Sequence, residues 1–279
     1  MLLEKKIQSA TKILNDHDIS SSRLDAEIII SNILGIKREN LINNDKMIVS
    51  KKIIDEYNSA IYRRSKKEPV AYITGSKEFW SHDFIVDHST LVPRPETEIL
   101  IHKIIKIFKN KKINILDIGT GSGCILLSIL KELKFSKGIG IDISTKAIKI
   151  AEENSKRMKL FNRVNFRVLE IDKIYGSKFD LVVSNPPYIP LKDINNLSKD
   201  VKNYEPIIAL NGGVDGLDLI KKVIYKSTRV LKKNGLLAIE IGNGQYKKVS
   251  NILKHNGYRE YSKECDYKDN VRCIISTKL

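Results

Sequence analysis

Residues 113–123 read Ile113-Asn114-Ile115-Leu116-Asp117-Ile118-Gly119-Thr120-Gly121-Ser122-Gly123, a short apolar run that ends in three alternating glycines. The run suits one buried strand, and the glycines make a tight turn into a helix that opens near Cys124 and Ile125. Downstream, further strand-like runs stand at Gly138 (GIGID), Val164 (VNFRV), Phe179 (FDLVVSN) and Gly235 (GLLAIEI), with longer amphipathic stretches between them. That alternation predicts a doubly wound α/β sheet. Two last runs, YREYS at Tyr258 and VRCIIST at Val271, are separated only by turn-like residues 266–270. Strands joined without a crossover pair antiparallel, so the expected Rossmann-like sheet is seven-stranded and mixed at one edge.

Upstream the pattern is helical. Leu2, Leu3, Ile7, Ala10, Ile13 and Leu14 recur at helical spacing; Ser22 with Asp25 resembles a capping box before Leu24, Ile28 and Ile33, and Gly35 is a stop signal. Ser50 opens a third stripe through Ile53, Ile54, Tyr57 and Ile61. Residues 70–92 turn aromatic and β-branched, which predicts a β-hairpin. The expected organisation is a small all-helical domain over 1–70, a hairpin linker over 71–92 and the α/β domain over 93–279.

Composition bounds the function. The chain has 279 residues, 42% hydrophobic and 29% charged, which suits a folded globular protein and excludes a disordered one. Even the run Cys124–Leu130 stops at Lys131, far short of a membrane span. The start carries acidic residues and no small-residue cleavage site, so a cytoplasmic protein is expected. Cys124, Cys265 and Cys273 form neither a CxxC pair nor a zinc spacing. The 49 Lys+Arg against 33 Asp+Glu give a net charge of +16. Such a charge draws a protein toward polyanions, but the lysines are spread along the whole chain, as on ordinary solvated faces.

The glycine turn carries the first chemical signal. A dinucleotide fingerprint needs G-x-G-x-x-G, and Cys124 stands where its last glycine should be. The turn Gly119-Thr120-Gly121-Ser122-Gly123 suits a ligand without a pyrophosphate, such as the amino-acid portion of S-adenosylmethionine, with Asp117 orienting its amino group. Asp142 ends the second strand, where a carboxylate accepts from both ribose hydroxyls; helix capping is its competing role, one that Ser144 or Thr145 can fill. Glu170 and Ile171 follow the third strand at the place of adenine contacts, with Asp172 a rival for the polar part.

The second signal is Asn185-Pro186-Pro187-Tyr188 at the exit of the fourth strand. Each proline fixes φ and removes a donor, so the turn is rigid. The Asn185 oxygen and the Pro186 carbonyl can accept both hydrogens of a planar NH2 and present its nitrogen to a sulfonium methyl, with Asn185 also beside the cofactor. Tyr188 would pack on the flat face of that group. Such chemistry is orientation with electrostatic support, and it needs no metal.

With these residues the chain resembles the peptide chain release factor glutamine methyltransferases. The resemblance is carried by Arg23–Glu27, Glu68–Gly75, Glu78-Phe79-Trp80, Val92-Pro93-Arg94-Pro95-Glu96-Thr97-Glu98, DIGTGSG, NPPYIP, Tyr204-Glu205-Pro206, Gly212–Leu217, and Glu240-Ile241-Gly242 with Gln245. It implies an S-adenosylmethionine-dependent enzyme that leaves S-adenosylhomocysteine. It also implies a class I release factor as substrate, methylated at N5 of the glutamine in a Gly-Gly-Gln loop, with the helical domain recognising the substrate. Glu170 stands where that family more usually has Asp, and Ile171 where it has a larger ring. A monomer is expected, and nucleic-acid contact is compatible with the charge but not required. Rival readings are an adenine-N6 nucleic-acid methyltransferase, a ribosomal-protein glutamine methyltransferase and a non-enzymatic RNA-binding protein. No inserted target-recognition module stands between Gly119 and Tyr188 to serve the first.

Overall fold

Helices come first in the computed structural model, which describes residues 2–44, 47–176 and 178–279. They are α1 (Leu3–Asn15), α2 (Ser22–Leu34), α3 (Lys51–Ser65) and the short α4 (Val70–Thr74). The Ser50 hydroxyl caps α3 by accepting from the Ile53 N–H at 3.4 Å, and Gly35 ends α2 in the left-handed conformation at φ 66°. Their shared core is built from Leu3, Ile7, Leu14, Ile29, Ile30 and Tyr57, whose hydroxyl donates to the Ala26 carbonyl at 3.0 Å.

Two expectations for α2 are corrected. Its buried face runs through Asp25, Ala26, Ile29 and Ile30, while Leu24 is exposed. Nor is Ser22 with Asp25 a capping box: Ser22 lies inside the helix and donates to Asn15 Oδ1 at 2.6 Å, and Asp25 is buried in an ion pair with Arg64 at 2.7 Å. A buried carboxylate is tolerated where a guanidinium from another helix meets it. Residues 198–204 group with this unit, in which the Tyr204 hydroxyl donates to the Lys66 carbonyl at 2.9 Å.

The second unit spans residues 77–197 and 205–279. Strands β1 (Ser76–Phe79) and β2 (His82–Ile85) form a two-stranded sheet. They meet at Trp80 and Ser81, both left-handed at φ 51° and 56°. The Trp80 N–H donates to Glu98 at 2.7 Å and its indole N–H to Glu132 at 3.1 Å, which holds an otherwise strained turn.

Then come α5 (Thr97–Phe108), β3 (Asn114–Ile118), α6 (Cys124–Glu132), β4 (Lys137–Asp142), α7 (Thr145–Arg157), β5 (Val164–Val168) and β6 (Phe179–Ser184). The chain ends with α8 (Lys199–Tyr204), α9 (Asp218–Val230), β7 (Leu231–Glu240), α10 (Tyr246–His255), β8 (Tyr258–Cys265) and β9 (Val271–Lys278). The sheet order is β5-β4-β3-β6-β7-β9-β8, parallel as far as β7, with β9 and β8 antiparallel at the edge. This is the mixed seven-stranded sheet expected from the sequence.

Alternation along the strands sorts side chains between two layers. Leu181 and Val183 of β6 pack with Leu100, Leu126 and Ile148 from α5, α6 and α7. Val182, between them, faces Ile220, Ile224 and Val249 of α9 and α10. Among the described residues no helix is long and apolar enough to cross a membrane.

One buried side chain joins the hairpin to the glycine turn. Asn154 of α7, 1% exposed, donates to the Ser122 carbonyl at 2.9 Å and the Ile85 carbonyl at 3.0 Å, and accepts from the Ile85 N–H at 2.7 Å. Asn154→Ala leaves these groups unpaired, and each buried orphan costs about 1–3 kcal/mol. Urea denaturation of the variant is expected to give a loss of at least about 2 kcal/mol; a loss under about 0.5 kcal/mol would show that the clamp is dispensable.

Candidate functional site

Strand order reverses at β3, which has β4 on one side and β6 on the other, and a crevice opens beyond their carboxyl ends. The backbone of the glycine turn is tied to β4 there: the Gly119 and Thr120 N–H groups both donate to the Ile141 carbonyl at 2.9 Å. The Gly121 N–H donates to Asp142 Oδ2 at 3.0 Å. Across the crevice, the buried Ser184 hydroxyl at the end of β6 donates to the Ile118 carbonyl at 2.7 Å. A cavity of about 610 Å³ lies over these ends, within the ~300–1,000 Å³ of small-molecule sites.

Of the residues singled out in the sequence, Gly119, Thr120, Gly121, Ser122, Asp142, Ile171, Asn185, Pro186 and Pro187 line this one cavity. Ser144, not Asp142, caps α7, accepting from the Ala147 N–H at 3.2 Å. Asp142 Oδ1 accepts from the Ser144 N–H at 2.9 Å, so its carboxylate is fixed between two backbone donors.

Others lie off the lining, Tyr188 among them. Asp117 is fully buried beneath the turn; Thr120 donates to its Oδ2 at 2.6 Å, and its Oδ1 has no hydrogen-bond partner in the protein. Burial pushes its carboxyl up to about 7, opposed by the Thr120 hydrogen bond and helped by the nearby Asp142 charge. Gly123 packs under the turn against Leu127, Phe166 and Ala151. Glu170 is exposed and pairs with Lys173 at 3.2 Å, while its neighbours Leu169 and Ile171 line the cavity. Asp172 instead faces Lys226 at 3.6 Å.

Tyr188 stands beside the cavity over a buried carboxylate. Its hydroxyl is 3.4 Å from Glu240 Oε1 and receives Arg272 at 3.2 Å. Burial, with the Glu240 charge, pushes the phenol up to about 12, so it stays a neutral donor. Glu240, wholly enclosed at the end of β7, also accepts from the Thr97 hydroxyl at 2.7 Å, and Asn185 Nδ2 donates to Thr97 Oγ1 at 3.3 Å. Burial pushes Glu240 up to about 6, although Thr97, Arg272 and Tyr188 favour its charged form. Thr97 received no role from the residue pattern, and neither did Arg94, which lines the cavity and pairs with buried Glu205 at 2.5 Å. Both lie in the PRPETE segment; the signal available was that its prolines hold polar side chains in fixed directions.

The electrostatics select the ligand class. Asp142 and Arg94 are the charged members of the described lining, Arg94 is already paired, and the carboxyls of Asp117 and Glu240 lie just beneath. A chain of net charge +16 thus carries an acidic crevice, which favours a cationic ligand and disfavours a phosphate. The unpartnered Asp117 Oδ1 and the Cβ-free space at Gly119 and Gly121 fit the ammonium and sulfonium of S-adenosylmethionine.

Comparison with known proteins agrees. Residues 109–278 match the methyltransferase domain model, and residues 6–75 match the PrmC N-terminal domain. The release factor glutamine methyltransferase of Clostridium acetobutylicum is 37% identical over 100% of this chain and 99% of its own length. That of Buchnera aphidicola subsp. Schizaphis graminum is 41% identical over 92% of each. This chain belongs to the release factor glutamine methyltransferase family. It is accordingly an S-adenosylmethionine-dependent methyltransferase. A methyltransferase from Pyrococcus furiosus shares the fold, with a TM-score of 0.54 at 15% identity over 78% of this chain and 98% of its own.

The turn glycines are expected to differ in cost. Gly119 and Gly123 both have positive φ, at 74° and 79°, so alanine at either carries about 1–2 kcal/mol of left-handed strain. An added Cβ meets nothing within 4 Å at Gly119, but at Gly123 it meets Leu127 and Phe166 at 3.1 Å. Denaturation midpoints should therefore fall further for Gly123→Ala, by about 1–3 kcal/mol of overpacking, and equal losses would remove Gly123's packing role.

Proposed function

We propose that the chain transfers the methyl group of S-adenosylmethionine to N5 of the glutamine in the Gly-Gly-Gln motif of a class I peptide chain release factor. The observation that carries the reading is that Asn185 and Pro186, held at the end of β6, line the same cavity as the Gly119–Ser122 turn and Asp142. S-adenosylmethionine supplies an electrophilic methyl there when bound. The glycine turn admits its amino-acid portion, Asp142 receives its ribose hydroxyls, and Ile143, Leu169 and Ile171 offer an apolar surface for its adenine.

Asn185 Oδ1 and the Pro186 carbonyl accept the two hydrogens of the substrate amide and orient its nitrogen. Both acceptors also stabilise the positive charge that develops on N–H during transfer. Tyr188, just behind the lining and fixed by Glu240 and Arg272, backs that group. A glutamine side chain is too small to distinguish one protein from another, so the helical unit supplies a second surface for the release factor. In this reading the enzyme works as a cytoplasmic monomer.

The deciding experiment incubates the protein with radiolabelled S-adenosylmethionine and a purified release factor, then maps the label by mass spectrometry. The Gly-Gly-Gln glutamine should carry it; label elsewhere, or on nucleic acid, refutes the reading. Asn185→Ala should keep cofactor affinity within about tenfold while kcat falls much further. An intact release factor should be methylated with a far higher kcat/KM than a short Gly-Gly-Gln peptide, and parity would remove the second surface.

Cofactor affinity should also depend on pH. A cationic ligand favours ionised Asp117, whose carboxyl lies near 7 in the free protein, so binding releases a proton and tightens as pH rises through that value. Calorimetry from about pH 6 to 8 should show this, and Asp117→Asn should abolish it.

A further inference from the structure

A carboxamide has two ends that differ only in chemistry: the oxygen accepts and the NH2 donates. Asn185 can receive a substrate N–H only if its oxygen, and not its nitrogen, faces the cavity, and neither end is fixed by the shape of the side chain. The neighbours decide it. Thr97 has a single hydroxyl proton, which it donates to Glu240 Oε2 at 2.7 Å in a fully buried contact. What Thr97 has left for Asn185, 3.3 Å away, are lone pairs, so the group turned toward it must be a donor.

We propose that Thr97 and Glu240 are positioning residues that turn Asn185 Nδ2 inward and thereby commit Asn185 Oδ1 to the substrate amide. The inference rests on the glutamine-methylation reading. It assigns to the PRPETE threonine and to the β7 glutamate a part in catalysis exerted through Asn185. Reversal follows if Glu240 takes up a proton: a neutral carboxyl can donate to Thr97, whose own proton is then free to meet Asn185 Oδ1.

The groups facing Glu240 set where that happens. Glu96 and Thr97 stand at the start of α5, Cys124 at the start of α6, Tyr188 after β6, and Arg272 and Cys273 on β9. Arg272 and the two hydroxyls favour the ion, while burial and Glu96 oppose it, and the balance lies at about 6.

The test compares Thr97→Val, which keeps the shape and loses the hydroxyl, with Thr97→Ser, which keeps the hydroxyl. On an intact release factor, T97V should lower kcat about 10- to 100-fold, as for a lost hydrogen bond, with cofactor affinity within about twofold; T97S should recover to within about threefold of the parent. In the parent, kcat should fall as pH drops through about 6, and Glu240→Gln should be slow and lack that limb.

A second readout needs neither cofactor nor substrate. The Asn185 Nδ2 protons, identified by their loss in Asn185→Ala NMR spectra, should exchange with solvent slowly in the parent and T97S, and at least about tenfold faster in T97V. The proposal is overturned if T97V keeps its kcat, if T97V and T97S are slowed alike, if E240Q retains the acid limb, or if Nδ2 exchange does not change. If the exchange result holds while no glutamine is methylated, the positioning stands and the substrate reading falls.

Discussion

The site depends on β3 being held between two parallel neighbours. Ile115, Leu116 and Asp117 pair with Gly138, Ile139 and Gly140 of β4 on one side and with Leu181, Val182 and Val183 of β6 on the other. Parallel pairing in this register brings three carboxyl ends to one level, and each ends in a different kind of group: a glycine turn after β3, Asp142 on β4, Asn185 after β6. None of these makes a site alone. Hydrogen bonds between the ends, from Gly119 and Thr120 to Ile141 and from Ser184 to Ile118, prevent the strands from splaying where side-chain packing stops.

Buried carboxyls are the second organising feature. Asp117, Glu205 and Glu240 are all buried in the α/β unit, and each has a role that an apolar residue could not fill. Glu205 fixes Arg94, Glu240 gathers Thr97 and Tyr188, and Asp117 holds Thr120. Burying such groups costs several kcal/mol each unless hydrogen bonds offset it, and the upward displacement of Asp117 to about 7 and Glu240 to about 6 is the residue of that cost. They sit where a cationic ligand or a polar network recovers part of it. The lysine-rich surface is a separate matter and says little about the crevice.

How much of this could be read in the sequence follows from the range of the interactions involved. Every strand of the large sheet was legible, because β-branched runs bounded by glycines and polar turns are local signals. The glycine turn, Asp142 and Asn185 were legible for the same reason: the motif and its placement at a strand end occupy adjacent residues. The phase of α2 was not. Ile28, Ile29 and Ile30 in succession fit more than one face, and the face that is buried includes Asp25, made tolerable by Arg64 far along the chain. Glu170 turned outward because the loop after β5 presents Leu169 and Ile171 on the other side. Thr97 stayed silent because its meaning lies in Glu240, 143 positions away.

The same long-range logic explains a glycine segment that has no chemistry of its own. The rigid Asn-Pro-Pro-Tyr turn is followed by backbone groups that are not paired locally, and residues 210–216 come alongside to complete them. The Ile189 N–H donates to Leu210, the Gly212 N–H to Ile189 and the Leu191 N–H to Gly213, at 2.9 to 3.1 Å. Gln245 closes the contact, donating to the carbonyls of Tyr188 at 2.9 Å and Gly216 at 3.2 Å while it accepts from the Gly242 N–H at 2.8 Å. An approach this close leaves no room for side chains: a Cβ on Gly212 would lie 2.8 Å from the Pro187 carbonyl oxygen, and one on Gly216 would collide with that of Tyr188. The rigidity of the Asn-Pro-Pro-Tyr turn therefore depends on glycines more than twenty residues downstream of it. Substitutions there should act on the orientation of Asn185 and Tyr188 as surely as substitutions in the turn itself.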